Sequence, residues 1–590
     1  MIKLDYSRDK LLSDFSKITL RDRYMLPGEE SPQEAFARAA EAFADDEDHA
    51  QRIYDYASNL WFMFATPVLS NGGTKRGLPI SCFLNYVDDS REGITGHYTE
   101  NAFLSSFGGG IGGYWGDVRS SGTKTSKGSE STGIIPFLKV VDAEMLAFSQ
   151  GVTRRGSYAG YLNIDHPEIE EFLDVRKPTG GDSNRKCLNL HHGIIVSDRF
   201  METIHLATKE PGYDDSWELI DPHSGEVKKT VSAKALWVKI LQNRMETGEP
   251  YIMFEEAVNN DLPHFQQNKG LRVNQSNLCS EITLATNEER TAVCCLSSVN
   301  LEYYDEWKKI PAFIPDLIRF LDNVLESFIE TAPRELKRAR YSAKRERSIG
   351  LGAMGFHAYL QKNMVSFESA VAAALNEEIF SGIKDLADKE TRRLAVERGA
   401  CPDDDSCTVR NAHLLAIAPN ASSSILCGNT SPSIEPFRAN AFNQKTKSGS
   451  NLLKNKYLDE LLMKKIGHAD LYNETWRSIV VNKGSVQHLD CLSEHEKDVF
   501  KTAVEINQAW VIEHAAERQQ HICQSQSLNL FFPPDVNKGD LHNIHMLAWA
   551  KNLKTLYYLR SEAISRADEV SSQAKREIIF EQSDCLSCEG

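Results

Sequence analysis

From Thr66 to about Tyr558 the chain alternates short apolar runs with long helical segments, and nothing divides it. Gly193-Ile194-Ile195-Val196 and Ala292-Val293-Cys294-Cys295-Leu296 have the length and composition of buried strands, whereas Ile314 to Ile329 and Glu368 to Glu397 carry helical patterns. No internal repeat and no Pro/Ser-rich linker cuts this region into independent domains. The pattern predicts one large α/β or α+β body. Before it, Ser31-Pro32-Gln33-Glu34 reads as a capping box that opens a helix to about Ala44. A second helix is expected from His49 to about Phe64, ended by Thr66-Pro67.

Two segments stand apart. Residues 108–133 are rich in Gly, Ser and Thr and read as a flexible loop whose N–H groups and lysines suit phosphate. Gly108 to Gly113 has GxGxxG-like spacing but no clear βαβ frame, which argues against a dinucleotide fold. The tail beyond about Arg566 is polar, reads as mobile, and ends Asp584-Cys585-Leu586-Ser587-Cys588-Glu589-Gly590.

The net charge of -16 argues against a broad nucleic-acid surface. The N-terminus has no apolar signal region, and no run approaches the roughly 18 apolar residues of a membrane span. A cytoplasmic protein is expected. In that compartment its 12 cysteines do chemistry or bind metal more often than they staple a fold.

The most informative cysteine is Cys279, in Asn277-Leu278-Cys279-Ser280-Glu281. If this segment is extended, alternation puts amide, thiol and carboxylate on one surface. The amide would orient a hydroxyl, the carboxylate take its proton, and the thiol attack or carry an electron hole. The plain alternative is a buried structural cysteine. Cys585 and Cys588 form a Cys-x-x-Cys near the chain end with no second Cys/His pair nearby for zinc. A dithiol there suits an arm that reduces a disulfide inside and is then reduced from outside. Cys82 and Cys294 are candidates for the inner pair, provided the fold brings their Cα atoms within about 7 Å.

Taken in order, Thr66-Pro67, Ser81-Cys82, Asn277-x-Cys279-x-Glu281, Cys294-Cys295-Leu296-Ser297, Pro419 to Ser424, Leu556-Tyr557-Tyr558 and the terminal pair resemble the catalytic (large, α) subunit of class I ribonucleotide reductase. The resemblance covers about residues 60 to 590. It implies a ten-stranded α/β barrel with a central finger loop over 61–565, a short helical region over 1–60, and a redox tail over 566–590. It also implies a compact form without the N-terminal ATP-cone of many relatives, and hence no dATP shut-off by that domain.

Residue by residue, the resemblance makes Cys279 the thiyl radical that abstracts the 3′ hydrogen of a ribonucleoside diphosphate. Glu281 would take the 3′ hydroxyl proton and Asn277 would bind a ribose hydroxyl. Cys82 and Cys294 would supply two electrons and end as a disulfide, while Cys295 falls on a variable position. Cys585 and Cys588 would re-reduce that pair and be reduced by thioredoxin or glutaredoxin. Tyr557 and Tyr558 would relay the radical from a separate ferritin-like β subunit that holds the metallocofactor, with none bound in this chain.

Thr66, Ser81, Gly110, Pro419, Asn420, Ala421, Ser422 and Ser423 would contact substrate, the Ser-rich turn cradling its diphosphate. Asp89, Arg119, Lys127 and Arg154 would bind the dNTP or ATP effector, with Arg154 and Arg155 both open as the residue coupling effector to base choice. An effector-dependent homodimer is expected, with no nucleic-acid or membrane partner. Competing readings are a cobalamin-dependent reductase, a non-catalytic nucleotide-binding paralogue and a structural metal-binding protein.

Overall fold

The computed structural model describes residues 2–148, 156–446 and 449–561. Five strands, Cys82–Tyr86, Gly110–Tyr114, Ser157–Asn163, His191–Val196 and Tyr251–Phe254, pair in parallel in that order. Helices such as Arg91–Ser106, Ile135–Ala147 and Ala233–Thr247 supply the crossovers that parallel strands require. A second parallel set begins with Ala292–Asn300 and Ile349–Met354. It continues through bridges at Leu351–Leu415 and Ile417–Gln526.

Both seams between the halves are antiparallel: Cys82–Leu84 against Ala292–Cys294, and Thr555–Leu556 against Ile252–Met253. Backbone bonds from Tyr557 N to Leu528 O and from Leu530 N to Tyr558 O link the last two strands. Among the described residues the continuous sheet has nine strands. One of them, Phe62–Phe64, lies outside the ring on Ala292–Asn300. Among the described residues, the two bridged segments around Leu415 to Ile417 and Gln526 fill the remaining places of the expected ten-stranded ring.

The apolar runs of the sequence are explained by this architecture. Tyr251–Phe254, Ala292–Asn300 and Ile349–Met354 are buried along their whole lengths, as strands covered on both faces must be. The expected helices are Phe313–Thr331 and Ala370–Arg398. At the N-terminus, Asp14–Arg23, Pro32–Phe43 and Glu47–Ser58 form the expected helical region. It is tied to the barrel layer by Arg52, whose fork meets both carboxylate oxygens of Asp316 at 2.7 and 2.9 Å. Among the described residues no helix is long and apolar enough to cross a membrane.

Three local expectations are corrected. The second helix stops at Ser58, and Thr66-Pro67 begins a new helix, Thr66–Asn71, because proline fits the first turn as readily as it ends a preceding one. Ser31 caps its helix by accepting from Gln33 N, but Glu34 accepts from Glu30 N, so the reciprocal half of a capping box is replaced. The glycine run is not a loop: Gly110–Tyr114 is a fully buried barrel strand. A Cβ on Gly112 would stand 2.0 Å from Ser276 O, so this strand lacks side chains where another backbone passes.

Candidate active site

The backbone that passes Gly112 belongs to an irregular segment inside the barrel with Cys279 in its turn. Both halves of the sheet hold it. From the first half, Tyr161 Oη donates to Asn277 O at 2.7 Å. Gln275 Nε2 in turn donates to Asn85 O at 2.9 Å. From the second half, Ser525 N donates to Glu281 O at 2.9 Å and Thr555 Oγ1 to Ser280 O at 2.7 Å. Ser527 Oγ lies 2.6 Å from Cys279 O and 3.0 Å from Glu281 Oε2, donating to one at a time. Asn277, Cys279 and Glu281 are 0%, 2% and 1% exposed.

The extended alternation expected for residues 277–281 is not what gathers these groups. Leu278 and Cys279 form a turn, and Ser280 has φ 67°, a left-handed conformation uncommon for a residue with a Cβ. The Asn277 side chain closes the turn, its Oδ1 accepting from Ile282 N at 3.1 Å. Its Nδ2 is buried and meets no acceptor among the described residues. A buried donor left over is costly, so a ligand hydroxyl placed there would gain a bond that the protein lacks.

Cys82 and Cys294 are direct partners in the antiparallel register. Opposed residues in such a ladder have Cα atoms about 4.5–5.5 Å apart, inside the range a disulfide spans. Gln524 Nε2 donates to Cys294 Sγ at 3.6 Å. Burial pushes the Cys294 thiol well up, and neighbouring Cys82 adds to it. Gly350 leaves room here, since a Cβ on it would lie 2.9 Å from Cys294 Sγ. Strand alternation turns Cys295 to the other face. Burial raises its thiol too.

Tyr557 and Tyr558 have ring centroids 4.3 Å apart. Tyr251 packs against both, at 4.7 and 5.0 Å. These three rings share one buried cluster with Cys279, Leu278 and Tyr161. Arg560 sets its guanidinium carbon 4.0 Å over the Tyr558 ring.

Pro419 to Ser423 form the turn into a short helix, Ala421–Leu426. Asn420 takes φ 55°, and its side chain is used for anchoring, accepting from Ser298 Oγ and donating to Ala353 O and Ala418 O. Ser422 and Ser423 are buried beside it. Thr66 is buried at the first turn of its helix, 3.1 Å from Tyr24 Oη. Ser81 O accepts from Gly110 N at 2.6 Å, next to Cys82.

Asp89 and Arg119 meet each other in the fold's loops, with Arg119 Nε 2.9 Å from Asp89 Oδ2. His223 Nδ1 lies 3.2 Å from the same oxygen. Lys127 is exposed on the 120–131 loop. Arg154, Arg155, Cys585 and Cys588 lie outside the described residues. Tyr161, Ser527, Thr555, Gln524 and Tyr251 were not legible as site residues, because isolated hydroxyls, amides and rings carry no spacing signal. The glycine run is the signal that could have marked the passage of the central loop, and it reads as a loop instead.

The chain matches the family model described as the ribonucleotide reductase barrel domain over residues 80–408 and 405–559. It matches the ribonucleotide reductase all-alpha domain over 10–77. It is 46% identical to the ribonucleoside-diphosphate reductase large subunit of Invertebrate iridescent virus 3, covering 100% of both chains. It is 48% identical to a putative ribonucleoside-diphosphate reductase large subunit of Frog virus 3, over 92% of each. Among solved structures it resembles the Actinobacillus ureae class Id ribonucleotide reductase alpha subunit, with TM-score 0.81 and 34% identity, covering 95% of this chain and 99% of that one.

Proposed function

Because the chain belongs to the ribonucleotide reductase large-subunit family, we propose that it converts ribonucleoside diphosphates to 2′-deoxyribonucleoside diphosphates by thiyl chemistry at Cys279. One observation carries this reading. Cys279 sits at a turn inside the barrel, in one buried cluster with the tilted Tyr557–Tyr558 pair.

In this reading Cys279 gives a hydrogen atom to an oxidised Tyr557, and Tyr557 is oxidised in the same way by Tyr558. Each step breaks one O–H or S–H bond and makes another, so no charge is left in the low-dielectric interior. The Arg560 guanidinium over Tyr558 favours this, because a positive charge facing the ring opposes a radical cation. The initial oxidant is the radical of a ferritin-like partner subunit, whose metallocofactor supplies it.

The thiyl then takes the 3′ hydrogen of the ribose. Glu281 accepts the 3′ hydroxyl proton, and Asn277 Nδ2 donates to a ribose hydroxyl. The 2′ hydroxyl leaves as water after receiving a proton. Cys82 and Cys294 lose two electrons and two protons in total and form an S–S bond. The 3′ hydrogen returns from Cys279 and the 3′ hydroxyl proton from Glu281. The raised Cys294 thiol suits a donor that stays protonated at neutral pH. The tail pair Cys585 and Cys588 would restore the thiols by exchange, with thioredoxin or glutaredoxin as the external reductant. The turn at Pro419 to Ser423, with Thr66, Ser81 and Gly110, would hold the substrate. Asp89, Arg119, Lys127 and Arg154 would bind a dNTP or ATP effector in a homodimer.

CDP reduction by the purified full-length chain tests this, with dithiol and effector, plus either the matched radical subunit or adenosylcobalamin alone. dCDP only with the subunit is expected. dCDP with cobalamin alone, or none in either arm, would overturn the reading.

A further inference from the structure

The Tyr558 hydroxyl faces a built polar cluster that the hydrogen-atom relay does not use. His191, the first residue of the strand His191–Val196, brings Nδ1 to 3.2 Å from Tyr558 Oη. The imidazole lies flat beside the Tyr251 ring, at 6.2 Å and 17° between planes. Glu249 Oε1 is 2.6 Å from the same Nδ1. Glu249 is buried and also receives His192 N at 3.1 Å and His192 Nδ1 at 3.0 Å, with Arg176 Nε at 3.6 Å.

Burial alone would push the Glu249 carboxyl up, but Arg176 and His191 outweigh it and hold it well below the usual range. An anionic oxygen at 2.6 Å requires a proton on Nδ1, because a lone pair there would repel it. That one N–H is shared, its short arm to Glu249 Oε1 and its longer arm, 3.2 Å, to the Tyr558 oxygen.

The geometry points to His191 as a positioning residue for Tyr558, a fixed Nδ1–H donor that serves the phenol and the phenoxyl radical alike. This rests on the relay reading above. A phenol oxygen accepts such a bond through a lone pair, and so does a phenoxyl oxygen. The donor therefore keeps its proton and need not move when the hydrogen atom leaves. Glu249 fixes the donor by taking the short arm of the same N–H, and Tyr251 fixes the plane of its ring. Tyr558 is thereby held at one oxygen position while the Arg560 charge covers its face.

The test places 3-aminotyrosine at 558 in the full-length chain, with the matched radical subunit, CDP and effector. High-field EPR of the trapped radical reads hydrogen bonding to its oxygen through the largest g component. His191→Leu is expected to raise that component and, in the natural Tyr558 background, to cut turnover about tenfold or more without changing the KM for CDP. His191→Asn, whose amide nitrogen stands near the place of Nδ1, is expected to restore the g value and most of the rate. An unchanged g value in His191→Leu overturns the assignment of the donor. A Tyr558→Phe chain that turns over normally, or no radical trapped at 558, instead overturns the relay reading itself.

Discussion

Cys82 and Cys294 stand directly opposite each other across the antiparallel seam where the two halves of the barrel meet. The seam matters because parallel neighbours belong to successive βα units, whereas an antiparallel pair here joins strands from different halves. It lets a residue near the start of the barrel meet one far along the chain. Gly350 clears the space around Cys294 Sγ, and Gln524 contacts it.

Cys82→Ser and Cys294→Ser should each abolish steady dCDP formation even with a small dithiol, while Cys295→Ala should keep most of it. Turnover assays, with mass spectrometry of alkylated peptides after one turnover, check this. A disulfide that includes Cys295 would contradict the assignment.

Gly112→Ala should displace the central loop, since its Cβ would meet Ser276 O at 2.0 Å. The expected cost is about 1–3 kcal/mol in stability with a larger loss of activity. Gly96→Ala, in a helix where the new Cβ meets nothing within 4 Å, should be neutral or stabilising by up to about 1 kcal/mol. Equal melting temperatures for the two variants would count against the close-approach argument.

Ser527→Ala should lower kcat about 10- to 100-fold with a small change in KM, because its hydroxyl serves both Cys279 O and the Glu281 carboxylate. Steady-state kinetics with CDP decide it. A change confined to KM would show that Ser527 supports binding rather than the geometry of the turn.

Replacing Cys585 and Cys588 together by Ser should stop thioredoxin-driven turnover and leave most of the dithiothreitol-driven rate. Equal loss with both reductants would remove the shuttle role.

Glu435 is buried with its carboxyl pushed up to about 7, mainly by burial, against the opposing effect of Arg438, Arg560 and the Asn529 bonds. A raised carboxyl binds its proton more tightly in the folded chain than in the unfolded one. Its stabilising contribution is therefore complete below about pH 4.5 and is lost as pH rises to about 7. Glu435→Gln cannot ionise, so it should gain on the wild type by about 3 kcal/mol between pH 4.5 and 8. Denaturant titrations at both pH values measure this; a constant difference would mean that Glu435 does not titrate in that window.

Much of this molecule was legible before any fold was known. The buried strands at 191–196 and 292–300 and the helices at 313–331 and 370–398 follow from apolar length and period, which burial imposes locally. Asn277, Cys279 and Glu281 stood out for the chemistry they bring to alternate positions, whereas Tyr557 and Tyr558 stood out only through the family resemblance. Gly110–Tyr114 was misread because a strand stripped of side chains has no apolar signature. Thr66-Pro67 was misread because proline marks both ends of helices.

Only the tertiary structure decided which groups meet. The cross-strand register set Cys294 opposite Cys82, the left-handed Ser280 rather than strand alternation shaped the Cys279 turn, and His191 reached Tyr558 from another strand. The reason is physical: sequence periodicity records which face of an element is buried, whereas the partner across a barrel depends on closing long loops, and nothing within one element records it.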